Sequence, residues 1–362
     1  MKNKLSVTIN RATKRTLQQI MIVMLAAIGL VSVLTWLATA PMRQKSGFAR
    51  QFIYKISQPI NIASKDPWTW RISGIRNNIF YIQGRRPDQI IRISYDLQHA
   101  DTLFLPVASD ELTLSNFELL VDSSQVWLFA KNVPAISCIG LNSKFKVEQK
   151  HFPPANYTRA IKTGPHTFVF RGFDTSLHSP DQIFLKGNLL TGSLQREQGI
   201  SERPGDAGIS TAGLLHYDTT THLLLYVFFF SNRFLCLDTN LNLRYRGNTI
   251  DTLHALQTRG GSMKSVSAIS YTNVSPSRIV NRANCVADGK LFNYSEIKAD
   301  NESTQNFIHN AVIDVYDLPD GQYAGSFYIP DHEGEKLQQF RLFNDTLLVL
   351  YKHYMATYRL QK

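Results

Sequence analysis

The chain has 362 residues, 43% of them hydrophobic and 19% charged, with a formal net charge of +11. That is ample apolar material for a buried core and too little charge for a disordered polymer. Lys2, Lys4, Arg11, Lys14 and Arg15 supply nearly half of the excess charge, so the remainder is only mildly basic. It carries no aromatic RNA-binding signature, and a nucleic-acid partner is not expected. Cys138, Cys236 and Cys285 lie far apart and form no CxxC pair, which argues against a disulfide scaffold or a cysteine zinc site. They read as small buried hydrophobes.

Taken in order, residues 1–19 are a basic tail, expected in the cytoplasm. Ile20–Ala40 is a run of 21 residues without a charge. As a helix it spans roughly 30 Å, the thickness of a bilayer core. Trp36 stands near its far end, where an aromatic ring suits the interface. Ala38-Thr39-Ala40 resembles a cleavage site. However, the apolar run exceeds the ~7–15 residues of a signal core, and Pro41 would be a poor first mature residue. The reading is an uncleaved single-span anchor, with the rest of the chain outside the cytoplasm, in a periplasm if the cell is Gram-negative. Residues 41–47 are a linker.

From Phe48 onward short apolar runs alternate with Gly, Asn, Asp and Pro turns. Six bright runs stand out: Ile79–Ile82, Val126–Ala130, Thr167–Phe170, Leu223–Phe230, Leu291–Tyr294 and Leu347–Tyr351. Polar turns such as Asn77-Asn78, Asp288-Gly289 and Asn344-Asp345 precede them. A strand before each run and one or two after it complete the unit. The clearest outer pair is Ala311–Pro330, a hairpin around Pro319-Asp320-Gly321. Four strands repeated about every 50 residues indicate an all-β, six-bladed β-propeller behind one N-terminal transmembrane helix. A β-sandwich would show cleaner in-and-out alternation and would not repeat such a unit six times. The last unit lacks a fourth strand, and Phe48–Ile56 is expected to supply it, closing a ring over residues 48–362.

The segments WRISGIRNNIFYIQG, SRIVNRANCVADGKLFNYS and AVIDVYDLPDGQYAGSFYIP resemble six-bladed propellers of the TolB-like kind found in Bacteroidetes envelope proteins. The likeness covers roughly Trp68–Lys362 and lies in strand and turn positions. It implies the fold and an envelope location. It transfers no catalytic residue.

No zinc-protease, nucleophile-elbow, phosphate-loop, dinucleotide or calcium-loop motif is present. His216 and His222 flank one turn and could face each other. Asp331-His332-Glu333 could coordinate a cation. Neither set offers a complete ligand group, and no metal or cofactor is expected. Arg86 and Arg233 fall between second and third strands, and Arg171 and Lys352 near the ends of second strands. In a propeller that edge surrounds the channel mouth, so these four are the candidate contacts to an anionic partner. Two long connections, 251–279 and 298–310, also stand out. The expected function is a membrane-tethered binding or scaffold module for a protein or envelope polymer. The alternative is an extracytoplasmic propeller enzyme, hydrolase- or lactonase-like or a redox partner, with its site at the channel mouth.

Overall fold

The computed structural model describes residues 11–43, 46–69, 71–107, 116–131, 135–141, 147–151, 156–173, 181–264 and 269–362. The chain divides into two compact units, Met1–Ser46 and Gly47–Lys362. The first contains helix α1, Arg11–Arg43. Its stretch Arg15–Trp36 has a mean hydropathy of 2.2 and buries none of its apolar surface. A helix that is apolar all round and uncovered suits lipid, as a membrane anchor or a signal sequence would.

The second unit is a ring of six sheets, each built from sequential antiparallel strands. Blade one holds β3 (Arg71–Arg76), β4 (Ile79–Gln83), β5 (Gln89–Ser94) and β6 (Ala100–Phe104). Blade two holds β7 (Phe117–Asp122), β8 (Gln125–Ala130), β9 (Ala135–Gly140) and β10 (Val147–His151). Blade three holds β11 (Tyr157–Lys162), β12 (Thr167–Phe173), β13 (Gln182–Asn188) and β14 (Leu194–Arg196). Blade four holds β15 (Gly213–Asp218), β16 (Leu223–Phe228), β17 (Arg233–Asp238) and β18 (Leu243–Asn248). Blade five holds β21 (Asn281–Ala287), β22 (Lys290–Ser295), β23 (Asn310–Asp317) and β24 (Tyr323–Pro330). Blade six holds β25 (Gln339–Phe343), β26 (Thr346–Leu350) and β27 (Tyr354–Gln361), completed by β1 (Lys55–Ile56) and β2 (Asn61–Ser64).

The second strand of each blade is packed on both faces, so it reads as an unbroken apolar run. Phe80, Val126, Phe168, Leu224, Leu291 and Leu347 are all fully buried in these strands. Apolar side chains gather between blades rather than inside them. Six clusters join blades one and two, two and three, three and four, four and five, five and six, and six and one. The last of these interfaces closes the ring. Tight first-to-second-strand turns need left-handed residues, and Asn77, Asn78, Ser123, Asp288 and Asn344 all have positive φ there.

Ring closure differs from the expectation in register. Only Lys55 and Ile56 of Phe48–Ile56 pair with β27, against Gln361 and Leu360. Most of the fourth strand is Asn61–Ser64, paired with Thr357 through Tyr354. Between them Ser57–Ile60 bulges around Pro59, which has no N–H to donate. Phe48–Tyr54 instead lies along blade five. Ser326 N donates to Gln51 O at 2.8 Å, and Phe52 stacks on Tyr328 at 4.4 Å. The cause is Arg50, whose guanidinium is buried against blade-five carboxylates.

Two insertions interrupt the repeat. The connection from blade four to blade five carries a hairpin, β19 (Gly260–Lys264) with β20 (Ile269–Asn273). The link between β22 and β23 carries a short helix, α2 (Thr304–His309), capped by Ser303 Oγ accepting from Asn306 N. Antiparallel order puts second-to-third-strand links and blade-to-blade connections on one edge of the ring. Both insertions therefore leave the same edge, from adjacent blades.

Candidate functional site at the ring centre

The innermost strands β3, β7, β11, β15, β21 and β25 are terminal strands of their sheets and present an unpaired edge to the centre. Each departs there from its apolar pattern: Arg71, Glu118, Arg159, His216, Arg282 and Arg341. Together they line a cavity of about 520 Å³ with Ser73, Lys131, Asn284 and apolar side chains such as Ile72, Leu215 and Phe229. That volume lies within the usual range for ligand pockets. The lining comes mainly from the first halves of innermost strands and includes Phe129, Lys131 and Phe229 near second-strand ends. The cavity thus lies toward the edge that carries both insertions.

Five cationic side chains face one carboxylate in this lining. Glu118 Oε1 meets both Arg71 Nη1 and Lys131 Nζ at 2.5 Å. Burial alone would raise its pKa, but Arg71, Lys131 and Arg159 hold the carboxyl down to about 2. Burial lowers Lys131 despite Glu118. Arg282 pairs with Glu296. Among the described residues Arg159 pairs with no carboxylate: Nε donates to Gly213 O at 3.0 Å and Nη1 to Thr158 O at 2.9 Å. His216 Nε2 donates to Asn284 Oδ1 at 2.5 Å. Burial pulls this imidazole down to about 4, with Arg341 and Arg159 adding to the effect. It is therefore neutral at pH 7, and the centre keeps a surplus of positive charge in a medium of reduced dielectric.

The four residues singled out in the sequence fall on the expected edge but do not form one cluster. Arg86 is exposed and paired with Asp88, Nη2 to Oδ2 at 2.7 Å. Arg233 pairs with Glu202 and lies 5.2 Å over the Phe228 ring. Lys352 is exposed, and its carbonyl accepts from Lys65 Nζ at 2.8 Å. Arg171 is only 2% exposed, so the expectation of a surface contact is corrected there. It sits 4.7 Å from the Phe184 ring and 5.3 Å from Tyr226, bonded to Ser201. A guanidinium between two aromatic faces is an interior packing element.

The two imidazoles also part company. His216 points to the centre, while His222, at a left-handed turn residue, accepts from Tyr217 Oη at 2.9 Å. His332 packs on Tyr354, and Asp331 pairs with Lys336 at 2.8 Å. Among the described residues no group of three or more His, Cys, Asp or Glu side chains is placed to hold a metal ion. The central cations escaped sequence reasoning because they lie one per blade, with no fixed local spacing. Four of them, Arg71, Arg159, Arg282 and Arg341, stand on first strands, and a charged residue inside such a strand was their only signal.

No protein-family model matches the chain, and no curated protein matches it. Solved structures do. A streptogramin B lyase is 10% identical with a TM-score of 0.48, covering 85% of this chain and 98% of that one. A member of the DUF4221 family from Bacteroides vulgatus is 12% identical, TM-score 0.46, covering 86% and 96%. BamB from Moraxella catarrhalis is 13% identical, TM-score 0.39, covering 87% and 93%. The chain is a six-bladed β-propeller by its own sheet order.

Proposed function

We propose that this is a membrane-tethered recognition module of a bacterial envelope, of the TolB-like kind, with its ring held in the periplasm. Its working surface is the edge that carries both insertions and the cavity mouth. The partner is a protein with an acidic, partly apolar patch. The observation that supports this is the β19–β20 hairpin. Met263, Ile269 and Val274 on and beside it are 66%, 53% and 63% exposed. Arg259, Lys264 and Arg278 around them are exposed as well, and residues 252–287 contain no acidic side chain. A lone two-stranded hairpin has no core of its own and gains order by docking. Arg86, Arg233 and Lys352 add cationic groups on the same edge, two of them already paired. Arg171 has no part in this surface.

A photoreactive residue placed at position 263 in native membranes tests the reading, with position 320 on the opposite edge as control. A protein adduct should form from 263 alone and disappear when Arg259→Glu and Lys264→Glu are combined. Adducts only to envelope polymer or lipid would overturn it, as would equal labelling from both positions.

A further inference from the structure

The central cavity leaves strong hydrogen-bond donors unanswered. Asn284 is 6% exposed; its Oδ1 is taken by His216, and its Nδ2 has no partner. Ser73 is fully buried and its Oγ has no partner either. Among the described residues the Arg341 side chain has no hydrogen-bond or ion-pair partner. Its guanidinium is half-buried beside Arg71 and the Cys285 thiol. These three residues stand on consecutive innermost strands around the ring, β21, β25 and β3, and all line the cavity.

Water alone is a poor answer to this arrangement. A water molecule can bond Asn284 and Ser73, but it does not offset charge. Among the described residues Arg341 and Arg159 pair with no carboxylate, and Glu118 is shared between Arg71 and Lys131. Uncompensated charge out of bulk solvent is costly, and unpaired buried donors add to that cost. An oxyanion settles both terms together, accepting from all three donors while neutralising the surplus. Part of the lining is apolar, with Leu120, Ile161, Leu214 and Phe229 partly exposed there. That lining suits a carbon body rather than a bare inorganic ion.

We propose that the cavity binds a small organic anion, its carboxylate or phosphate end held by Arg341, Asn284 and Ser73 and its apolar part against Leu120, Leu214 and Phe229. The site is independent of hairpin docking, because occupancy is measured on the purified protein with no partner present.

Calorimetric titration of the full chain in detergent provides the test, with inorganic phosphate, hexanoate and hexyl phosphate as probes. At least one organic probe should bind, more tightly than inorganic phosphate and less tightly as salt rises. Arg341→Met should weaken that binding about 10- to 100-fold, since a hydrogen-bonded charge is lost. Arg359→Ala, in an exposed ion pair toward the opposite edge, should leave it unchanged. If Arg341→Met does not fold, Asn284→Ser combined with Ser73→Ala replaces it, checked by an unaltered melting curve. Binding of hexanoate alone marks a carboxylate ligand, binding of hexyl phosphate alone a phosphate ligand, and either supports the site. Absence of binding by all three probes overturns it, as does organic-probe affinity that these central substitutions leave untouched.

Discussion

Arg50 and Asp314 form a buried, two-pronged ion pair across the seam between the first strand segment and blade five. Arg50 Nε donates to Asp314 Oδ1 at 2.7 Å and Nη2 to Oδ2 at 2.9 Å. Glu302 takes Nη1, which also donates to Ile297 O at 2.9 Å. Both members of the pair are sealed from solvent. Burial works against the charge, but Asp314 and Glu302 together raise the Arg50 pKa above its ordinary value. A charge so enclosed is neutral or costly when well paired and severely costly when its partner is removed. Arg50→Ala leaves two carboxylates facing each other in the interior. The expected loss is about 3–5 kcal/mol of folding stability, read from denaturant melts. A loss below about 1 kcal/mol would mean that the seam is not held by this pair.

His216 makes stability depend on pH. Its folded pKa is about 4 against an ordinary 6.5, because burial disfavours the imidazolium. The unfolded chain therefore takes up the proton first as pH falls. Stability is fully present above about 6.5 and declines down to about 4; below that both states are protonated and the loss is complete. The contribution is up to about 3 kcal/mol. The difference between wild type and His216→Gln should thus vary with pH inside this window and be flat outside it. Chemical denaturation at a series of pH values measures this directly.

Gly213 opens the innermost strand of blade four. A Cβ there would sit 2.3 Å from Val227 O and 2.9 Å from the Tyr226 ring. The carbonyl lies on the neighbouring strand and cannot swing away, so the sheet itself must shift. Its own carbonyl accepts from Arg159, so the shift reaches the central cavity. Gly213→Ala should cost about 1–3 kcal/mol and weaken anion binding as well. Matching melting curves for the variant and wild type would contradict the packing described.

The proposed location of the ring outside the cytoplasm rests on the charge-free run after a basic tail. A reporter active only outside the cytoplasm, fused after Lys362, should be on, and one active only inside should be silent. A soluble mature chain beginning at Pro41 would instead identify α1 as a cleaved signal.

Much of the ring was legible in the sequence because its cause is local. A second strand buried on both faces must be apolar throughout, and a two-residue turn must tolerate positive φ. Val126–Ala130 and Asn77-Asn78 therefore announce themselves. Phe48–Ile56 was half legible. Its apolar alternation marks an extended segment, but its register depends on Asp314 and Glu302, more than 250 residues away. Pro59 also hid the true fourth strand, Asn61–Ser64. Arg171 illustrates a different limit: an arginine at a strand end reads as surface, and only the packed structure reveals the rings of Phe184 and Tyr226 around it. The central site was hidden, apart from His216, because its residues come from all six blades, a relation that chain spacing does not encode.

The pairing of Lys55–Ser64 with Tyr354–Gln361 has a consequence for biogenesis. Ser57 Oγ and Arg359 N bond across 302 residues of chain. A polypeptide emerging from its N-terminus must hold the outermost strand of the sixth blade idle until β25 to β27 have been synthesised. During that interval five blades stand as an open arc, with an unsatisfied apolar interface at each end. Such an arc is a substrate for chaperones or for mispairing with another unfinished copy, so the yield of folded protein is set by how quickly the final hairpin arrives.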